Sequence, residues 1–309
     1  MPLILFAAPA LWPDYAVLLP DAFAAAGIKA DIVTHAADPA AVDYIIYAPS
    51  SPLQDFTPFT RCKAVLSLWA GVERIVGNAS LTQPLCRMVE PGLTESMVEW
   101  VVGHTLRHHL GMDRHISNPG HIWDPVCPPL ARERCVTILG LGELGVACAR
   151  ALAALNFPVT GYSRSERQVD QITCLHGEAG LSHALATAQI LVTLLPRTAQ
   201  TENILDARRL AMLPRGAVIL NPGRGALIDD NALLAALTSG HVGHATLDVF
   251  RAEPLPADHP FWHHPGVTVT PHIAADTRPK GAVPVLVENV RRGQAGEGLL
   301  HLVNRSHGY

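Results

Sequence analysis

The stretch CVTILGLGELGVACARALAAL, residues Cys135–Leu155, joins an apolar strand pattern to an amphipathic helix pattern through three glycines. Gly140, Gly142 and Gly145 have the G-x-G-x-x-G spacing. The first glycine permits a tight turn, the second lets backbone N–H groups approach a pyrophosphate, and the third lets helix and strand pack closely. Because the motif lies between a strand and a helix, it favours a dinucleotide-binding unit over isolated turn glycines. The loop residues predicted to bind the cofactor are Gly140, Leu141, Gly142, Glu143, Leu144 and Gly145.

Apolar strand patterns alternate with helix patterns on both sides of this stretch, which predicts parallel βα units. The strand patterns are LILFA, ADIVTH, DYIIYA and AVLSL upstream, and PVTGY, QILVTLL, GAVILN, HATLDVF and GVTVTP downstream. A long helix pattern from Thr94 marks a boundary. We therefore predict an α/β fold of two domains: a smaller one at 1–95, onto which the segment 280–309 can fold back, and a Rossmann doubly wound parallel sheet at 96–279.

The composition points to a small-molecule ligand. Of the 309 residues 49% are hydrophobic and 16% charged, and the net charge is −4 without a basic stripe, which argues against nucleic-acid and membrane partners. The six cysteines form no C-x-x-C pair, as expected for reduced thiols in the cytoplasm. The apolar amino terminus lacks a basic region and reaches Asp14 early, so it is read as a buried strand.

The second strand after the long helix ends in YSRSER and bears on the choice of cofactor. An acidic residue at that end would accept hydrogen bonds from a ribose 2′-OH. Here Ser163, Arg164, Ser165 and Arg167 stand instead, and they suit a 2′-phosphate. We predict NADP(H) in preference to NAD(H), with NAD(H) as the alternative and Arg164 as the main determinant. A solvated basic loop is the competing interpretation.

Arg224, Glu253 and His272 each follow a predicted strand at its carboxyl end, where open α/β sheets bind ligands. A guanidinium can hold the carboxylate and carbonyl oxygens of a 2-keto acid, and a protonated histidine can supply a proton. A neighbouring carboxylate favours the protonated ring and fixes its tautomer. Arg224 or His272 by itself could be structural, but their order after the glycine loop, together with Glu253, favours a hydride-transfer site.

The motifs GLGELG, NPGRGALID, LDVFRAEPLP and VTPHIAA resemble the NAD(P)-dependent D-2-hydroxyacid dehydrogenase family. More narrowly, YSRSER, PHIAADTRP and ESMVEW resemble its glyoxylate/hydroxypyruvate reductase A branch. The resemblance implies that Arg224 binds and polarises the substrate, Glu253 tunes the histidine, and His272 is the acid–base catalyst. It further implies a homodimer that reduces glyoxylate or hydroxypyruvate with NADPH in a cleft between the domains, with a flavodoxin-like substrate domain completed by 280–309.

The same resemblance extends to further positions. It assigns the backbone amides of the AGVE turn to the substrate carboxylate, places Tyr47 where the branch commonly has tryptophan, and places Trp123 in a dimer-contact segment. Asp248 matches a position near the nicotinamide, with a turn or cap role as the alternative, and Pro222 departs from the family by lacking an N–H. The predicted substrate-binding set is Tyr47, Ala70, Gly71, Val72, Arg224 and His272. The predicted cofactor-binding set beyond the glycine loop is Ser163, Arg164, Ser165, Leu195, Pro196, Pro222, Gly223 and Asp248.

Three other interpretations are weighed against this prediction. His104 and His108 have the i,i+4 spacing of metal ligands, but the glutamate of H-E-x-x-H and a third ligand are missing, so no metal is predicted. The same fold and the same three residues also occur in C-terminal-binding-protein corepressors, so a cofactor-binding sensor is an alternative. A dehydrogenase for larger 2-keto acids is another.

Overall fold

The computed structural model describes residues 1–305 and 308 and divides the chain into two compact units. Met1–Leu93 and Asp276–Tyr309 form the first unit, and Thr94–Ala275 forms the second. The predicted domain limits, 95/96 and 279/280, fall within a few residues of these two crossings of the chain.

The first unit is built on a five-stranded parallel sheet in the order β2-β1-β3-β4-β5. Its strands are β1 (Leu3–Phe6), β2 (Asp31–Val33), β3 (Tyr44–Tyr47), β4 (Ala64–Ser67) and β5 (Leu85–Cys86). This is the flavodoxin-like strand order. Side chains alternate between two core layers, so that Phe6 and Ile46 pack in one layer and Leu5 and Ile45 in the other.

The second unit is a seven-stranded parallel sheet in the order β12-β11-β10-β9-β6-β7-β8. Its strands are β6 (Val136–Leu139), β7 (Val159–Ser163), β8 (Thr173–His176), β9 (Ile190–Thr193), β10 (Ala217–Asn221), β11 (Val242–Leu247) and β12 (Val267–Val269). The chain runs outward from β6 in one direction through β7 and β8, and from the neighbouring β9 in the other. The β6–β9 border is therefore a topological switch point, which is where doubly wound sheets bind ligands.

The α-helices are α1 (Trp12–Tyr15), α2 (Leu18–Ala25), α3 (Pro91–His109), α4 (Asp113–Ile116), α5 (Glu143–Ala154), α6 (Gly177–Thr187), α7 (Ala207–Leu210), α8 (Asp230–Thr238) and α9 (Pro279–Ala295). Short 3-10 turns lie at Pro9–Leu11, Pro39–Ala41, Ala131–Glu133, Gly225–Leu227 and Pro260–Trp262. Two helix ends show capping by residues suited to it. The Asp229 carboxylate caps α8 by accepting from Ala232 N at 2.9 Å, and α9 ends at Gly296 in the left-handed region.

The two parallel sheets confirm the predicted α/β fold class, including the Rossmann and flavodoxin-like architectures. Both sheets are largely buried by helices and loops, which explains why their strand patterns are nearly continuous runs of apolar residues. Over the described part of the chain, no helix is both long enough and apolar enough to cross a membrane.

Candidate active site

The glycine loop joins β6 to α5 at the switch point. Gly140 has φ +111°, and a Cβ there would lie 2.6 Å from the Leu194 carbonyl oxygen. A Cβ on Gly145 would lie 1.8 Å from the Gly140 carbonyl oxygen, so the helix can pack this closely only without a side chain. A Cβ on Gly142 would meet nothing within 4 Å. The loop thus leaves an open approach to the amino end of α5, where amide groups and the helix dipole favour a pyrophosphate.

The end of β7 carries the residues predicted to recognise a 2′-phosphate. The Ser163 hydroxyl donates to the Ser165 carbonyl oxygen at 2.7 Å, which folds the chain tightly after the strand. Arg164 and Ser165 are exposed. Arg167 Nη1 donates to the Leu141 carbonyl oxygen at 2.6 Å and so links this segment to the glycine loop. The arrangement presents cationic and hydroxyl groups beside the loop, as an additional phosphate requires.

Arg224 lies in a loop that is held by hydrogen bonds to the side chain of Asn221. Asn221, the buried last residue of β10, accepts hydrogen bonds through Oδ1 from the Thr193 hydroxyl at 2.6 Å and from Gly223 N at 3.2 Å. Its Nδ2 donates to the Arg224 carbonyl oxygen at 3.1 Å. The half-buried Arg224 side chain donates from Nη1 to the Gly223 carbonyl oxygen at 2.7 Å. Asn221 was not predicted, although a polar residue ending an apolar strand was the signal for it.

The residue after Arg224 must be glycine, because a Cβ on Gly225 would lie 2.1 Å from the carbonyl carbon of Phe250. Phe250 N in turn donates to Glu253 Oε1 at 2.9 Å. The Arg224 loop and the segment that carries Glu253 therefore pack directly against each other.

Glu253 and His272 form a close pair. The distance from Glu253 Oε2 to His272 Nδ1 is 2.7 Å, and the histidine side chain is 52% exposed. With the carboxylate as acceptor, Nδ1 carries a proton, and Nε2 is the ring nitrogen that remains for a second partner. A histidine ring oriented in this way is suited to proton transfer through Nε2.

The backbone of His272 is held in the left-handed region, with φ +54°. Such a conformation costs energy in a non-glycine residue and persists only where its surroundings enforce it. Here His272 N donates to the Asp248 carbonyl oxygen at 2.8 Å. The fully buried Asp248 carboxylate accepts from the Thr270 hydroxyl at 2.6 Å and from Ile273 N and Ala274 N, each at 2.9 Å. Asp248 therefore shapes the turn that presents His272, whereas its contact with a cofactor stays a prediction.

In the first unit, the loop after β4 contains the predicted carboxylate-binding amides. Across the described residues, the amide groups of Ala70, Gly71 and Val72 donate to no carbonyl group of the chain. Consecutive unpaired amides of this kind can bind an anion. The predicted substrate contact Tyr47 is 3% exposed and packs edge-on against Phe56, with ring centroids 5.6 Å apart. Its ring is part of the core layer, and its contact with substrate stays a prediction.

The remaining predicted positions also stay predictions as cofactor contacts. Leu195 belongs to a core cluster of the second unit, and the Pro196 carbonyl oxygen accepts from the Thr201 hydroxyl at 2.6 Å. Pro222 and Gly223 lie in the loop that Asn221 holds.

The two histidines of α3 are engaged with other side chains. The His104 ring packs on Trp100 at 4.4 Å between centroids, and His108 Nε2 lies 2.9 Å from the Thr246 hydroxyl. Among residues 1–305 and 308, no group of three or more potential ligand side chains is placed to hold a metal ion.

Comparison with known proteins matches this architecture to one family. Residues 103–274 match the NAD-binding domain of the D-isomer specific 2-hydroxyacid dehydrogenases. A glyoxylate/hydroxypyruvate reductase A of Yersinia enterocolitica is 39% identical over 255 residues, which are 80% of this chain and 82% of the relative.

Two solved structures are similar over almost their full length. A D-isomer specific 2-hydroxyacid dehydrogenase of Xanthobacter autotrophicus Py2, in complex with NADPH and MES, has a TM-score of 0.91 at 37% identity, covering 100% of this chain and 99% of its own. An NADPH-dependent glyoxylate/hydroxypyruvate reductase of Sinorhizobium meliloti, in complex with NADP and sulfate, has a TM-score of 0.85 at 33% identity, with the same two coverages. These matches confirm the resemblance of the sequence motifs, and the chain belongs to the D-isomer specific 2-hydroxyacid dehydrogenase family of oxidoreductases.

Proposed function

We propose that the protein reduces a small 2-keto acid of the glyoxylate or hydroxypyruvate type to the 2-hydroxy acid, with NADPH as reductant. The observation that carries the proposal is the Glu253–His272 pair, with 2.7 Å between Oε2 and Nδ1. Glu253 and His272 follow β11 and β12, and these strands lie next to β10, which Arg224 follows. The names of the Yersinia and Sinorhizobium relatives support the same reaction and substrate class.

The residues at the switch point fit a dinucleotide. The glycine loop Gly140–Gly145 would hold the pyrophosphate, and Ser163, Arg164 and Ser165 would hold the 2′-phosphate. The absence of a carboxylate among those three residues favours NADP(H) over NAD(H). When bound, the nicotinamide supplies the hydride.

The protein's own residues would orient and protonate the substrate. Arg224 binds the carboxylate and polarises the carbonyl group, and the amides of Ala70, Gly71 and Val72 hold the carboxylate. As the carbonyl carbon accepts the hydride, His272 transfers its Nε2 proton to the carbonyl oxygen, which yields the 2-hydroxy acid. Glu253 stabilises the imidazolium before transfer and fixes the orientation of the ring afterwards.

A homodimer is the second part of the proposal. Among residues 1–305 and 308, half of the exposed large apolar side chains belong to the segment that follows α3: Leu110, Met112, Ile116, Ile122, Trp123, Val126 and Leu130. Exposed large apolar side chains concentrated in one segment are typical of a protein interface, and Trp123 is 91% exposed. A second copy of this chain is the partner that the family resemblance suggests.

A cytoplasmic location is also proposed, because the six cysteines are all free thiols.

The test is oxidation of NADPH and NADH by the purified protein with glyoxylate, hydroxypyruvate, pyruvate and phenylpyruvate. Turnover of the small acids with NADPH preferred is expected. Turnover of phenylpyruvate alone would indicate a dehydrogenase for larger 2-keto acids. Tight NADPH binding without any turnover would contradict the proposal and favour a cofactor-binding sensor.

A further inference from the structure

The loop that offers the amides of Ala70, Gly71 and Val72 is held just before those amides. Trp69 N donates to the Ser67 hydroxyl at 3.1 Å, and Met88 N donates to the Trp69 carbonyl oxygen at 3.0 Å. The preceding carbonyl oxygen, that of Leu68, accepts from the Thr277 hydroxyl at 2.7 Å. Thr277 is 209 residues further along the chain, so this hydrogen bond connects the loop to a distant segment.

Thr277 lies in a short segment whose own position is fixed. Thr277 N donates to Asp276 Oδ1 at 2.8 Å, and the next residue, Arg278, is the cap of α9. Arg278 N donates to Glu90 Oε1 at 3.2 Å. The backbone N–H groups of Thr277 and Arg278 are therefore both hydrogen-bonded to carboxylates, which restricts where the Thr277 hydroxyl can point.

Glu90 is a buried carboxylate, 2% exposed, at the amino ends of two helices. Besides Arg278 N, it accepts from Gly92 N at 2.7 Å and from Leu93 N at 2.6 Å. A Cβ on Gly281 would lie 1.9 Å from Glu90 Oε2, so a side chain at this position would displace the carboxylate. Backbone donors and helix amino ends both favour a negative charge there, which makes Glu90 a firm anchor for α9.

We propose that Thr277 is a positioning residue for the substrate carboxylate, with Glu90 as its anchor. The Thr277 hydroxyl fixes the peptide plane of Leu68, and the chain leaves that plane directly into the three unpaired amides. Thr277 acts through the loop and not on the substrate itself. The inference rests on the proposed function, in which these amides bind the carboxylate of the 2-keto acid.

The test compares Thr277→Val, which removes the hydroxyl at nearly constant shape, with Thr277→Ser, which keeps it. Since one hydrogen bond contributes about 0.5–1.5 kcal/mol, Thr277→Val is expected to raise the KM for glyoxylate roughly two- to thirteenfold. The kcat and the Kd for NADPH should change less than about twofold, because neither depends on carboxylate alignment alone. Thr277→Ser should keep all three constants near those of the wild type.

Hydrogen exchange of residues 64–76, measured on the same proteins by mass spectrometry, reports directly whether the Thr277 hydroxyl holds the loop. Exchange should be faster in Thr277→Val than in the wild type and in Thr277→Ser. If the Val variant does not fold, Thr277→Ala takes its place.

The two proposals fail in different ways. An active wild type with an unchanged KM in Thr277→Val, or the same rise in Thr277→Ser, would overturn the positioning role alone. An inactive wild type would overturn the proposed function. In that case, unchanged hydrogen exchange of residues 64–76 in Thr277→Val would still show that Thr277 does not hold the loop.

Discussion

At the scale of single residues, His272 combines a left-handed backbone with a ring bonded to a carboxylate. Asp248 enforces the first through its bonds to the 270–274 turn, and Glu253 provides the second. The hydrogen bond to Glu253 restrains the ring, so Nε2 keeps one direction, as the proposed proton transfer would require. This arrangement is what a general acid needs, since proton transfer requires a donor within hydrogen-bond reach.

His272→Ala removes the proton donor and should lower kcat by about 10²–10⁴-fold, the range typical of general acids. The Kd for NADPH, measured by fluorescence titration, should change less than about twofold. The control is His183→Ala, at an exposed position on α6. An equal loss of turnover and cofactor affinity would contradict the assignment.

Arg164→Ala tests cofactor selection at a single side chain. Loss of a charged hydrogen bond of about 1.5–3 kcal/mol should lower kcat/KM for NADPH roughly 10- to 100-fold and leave kcat/KM for NADH nearly unchanged. Arg215→Ala is the matched control, because that exposed arginine of the same unit donates to the Ser239 carbonyl oxygen. A parallel fall with both cofactors would show that Arg164 does not read the 2′-phosphate.

At the scale of elements, α3 packs a group of histidines against β11. The rings of His108 and His244 lie 4.8 Å apart between centroids, and their Nε2 atoms lie 2.9 Å from the hydroxyls of Thr246 and Thr268. Burial, with further lowering by the neighbouring His244 and Arg107, brings the pKa of His108 to about 3. Burial also lowers the pKa values of His104 and His244. The helix is therefore packed for neutral rings.

Acidification should destabilise the fold through these histidines. Below about pH 6.5 the histidines become protonated in the unfolded chain but stay neutral in the folded protein. The free energy of unfolding therefore falls as the pH drops towards 3. His108→Gln removes one such titration and should reduce the slope by up to about 1.4 kcal/mol per pH unit. Urea unfolding at several values between pH 7.5 and 4 measures the slope, with exposed His183→Gln as control. Equal slopes in the wild type and His108→Gln would contradict the prediction.

At the scale of the whole molecule, the segment after α3 exposes several large apolar side chains, among them Ile116 (76%) and Trp123 (91%), as a protein interface would. Trp123→Glu should place a charge in the proposed interface and convert a dimer, of twice the 33.1 kDa chain mass, into a monomer. Light scattering after size-exclusion chromatography measures this. Val17→Glu, at an exposed position in the other unit, should leave the mass unchanged. A monomeric wild type would contradict the dimer.

The sequence by itself determined the α/β class, the dinucleotide-binding loop and the catalytic candidates. The hydrophobic periods of strands and helices are local properties of the chain. The G-x-G-x-x-G spacing is local too, because Gly140 and Gly145, where backbone atoms approach too closely for a side chain, lie within a few residues of each other. Arg224, Glu253 and His272 were found because each follows a strand of a parallel sheet, and such strands present their carboxyl ends at one edge.

Only the tertiary structure decided how those residues are held. Asn221, Asp248, Glu90 and Thr277 bind partners from other segments, the last across 209 residues. Such partners depend on strand order and on the packing of helix ends, which no local pattern encodes. Tyr47 shows the same limit, since its ring packs in the core against Phe56, as the sheet's alternation of side chains dictates. Buried polar groups must find partners, but the folded chain alone determines which ones they find.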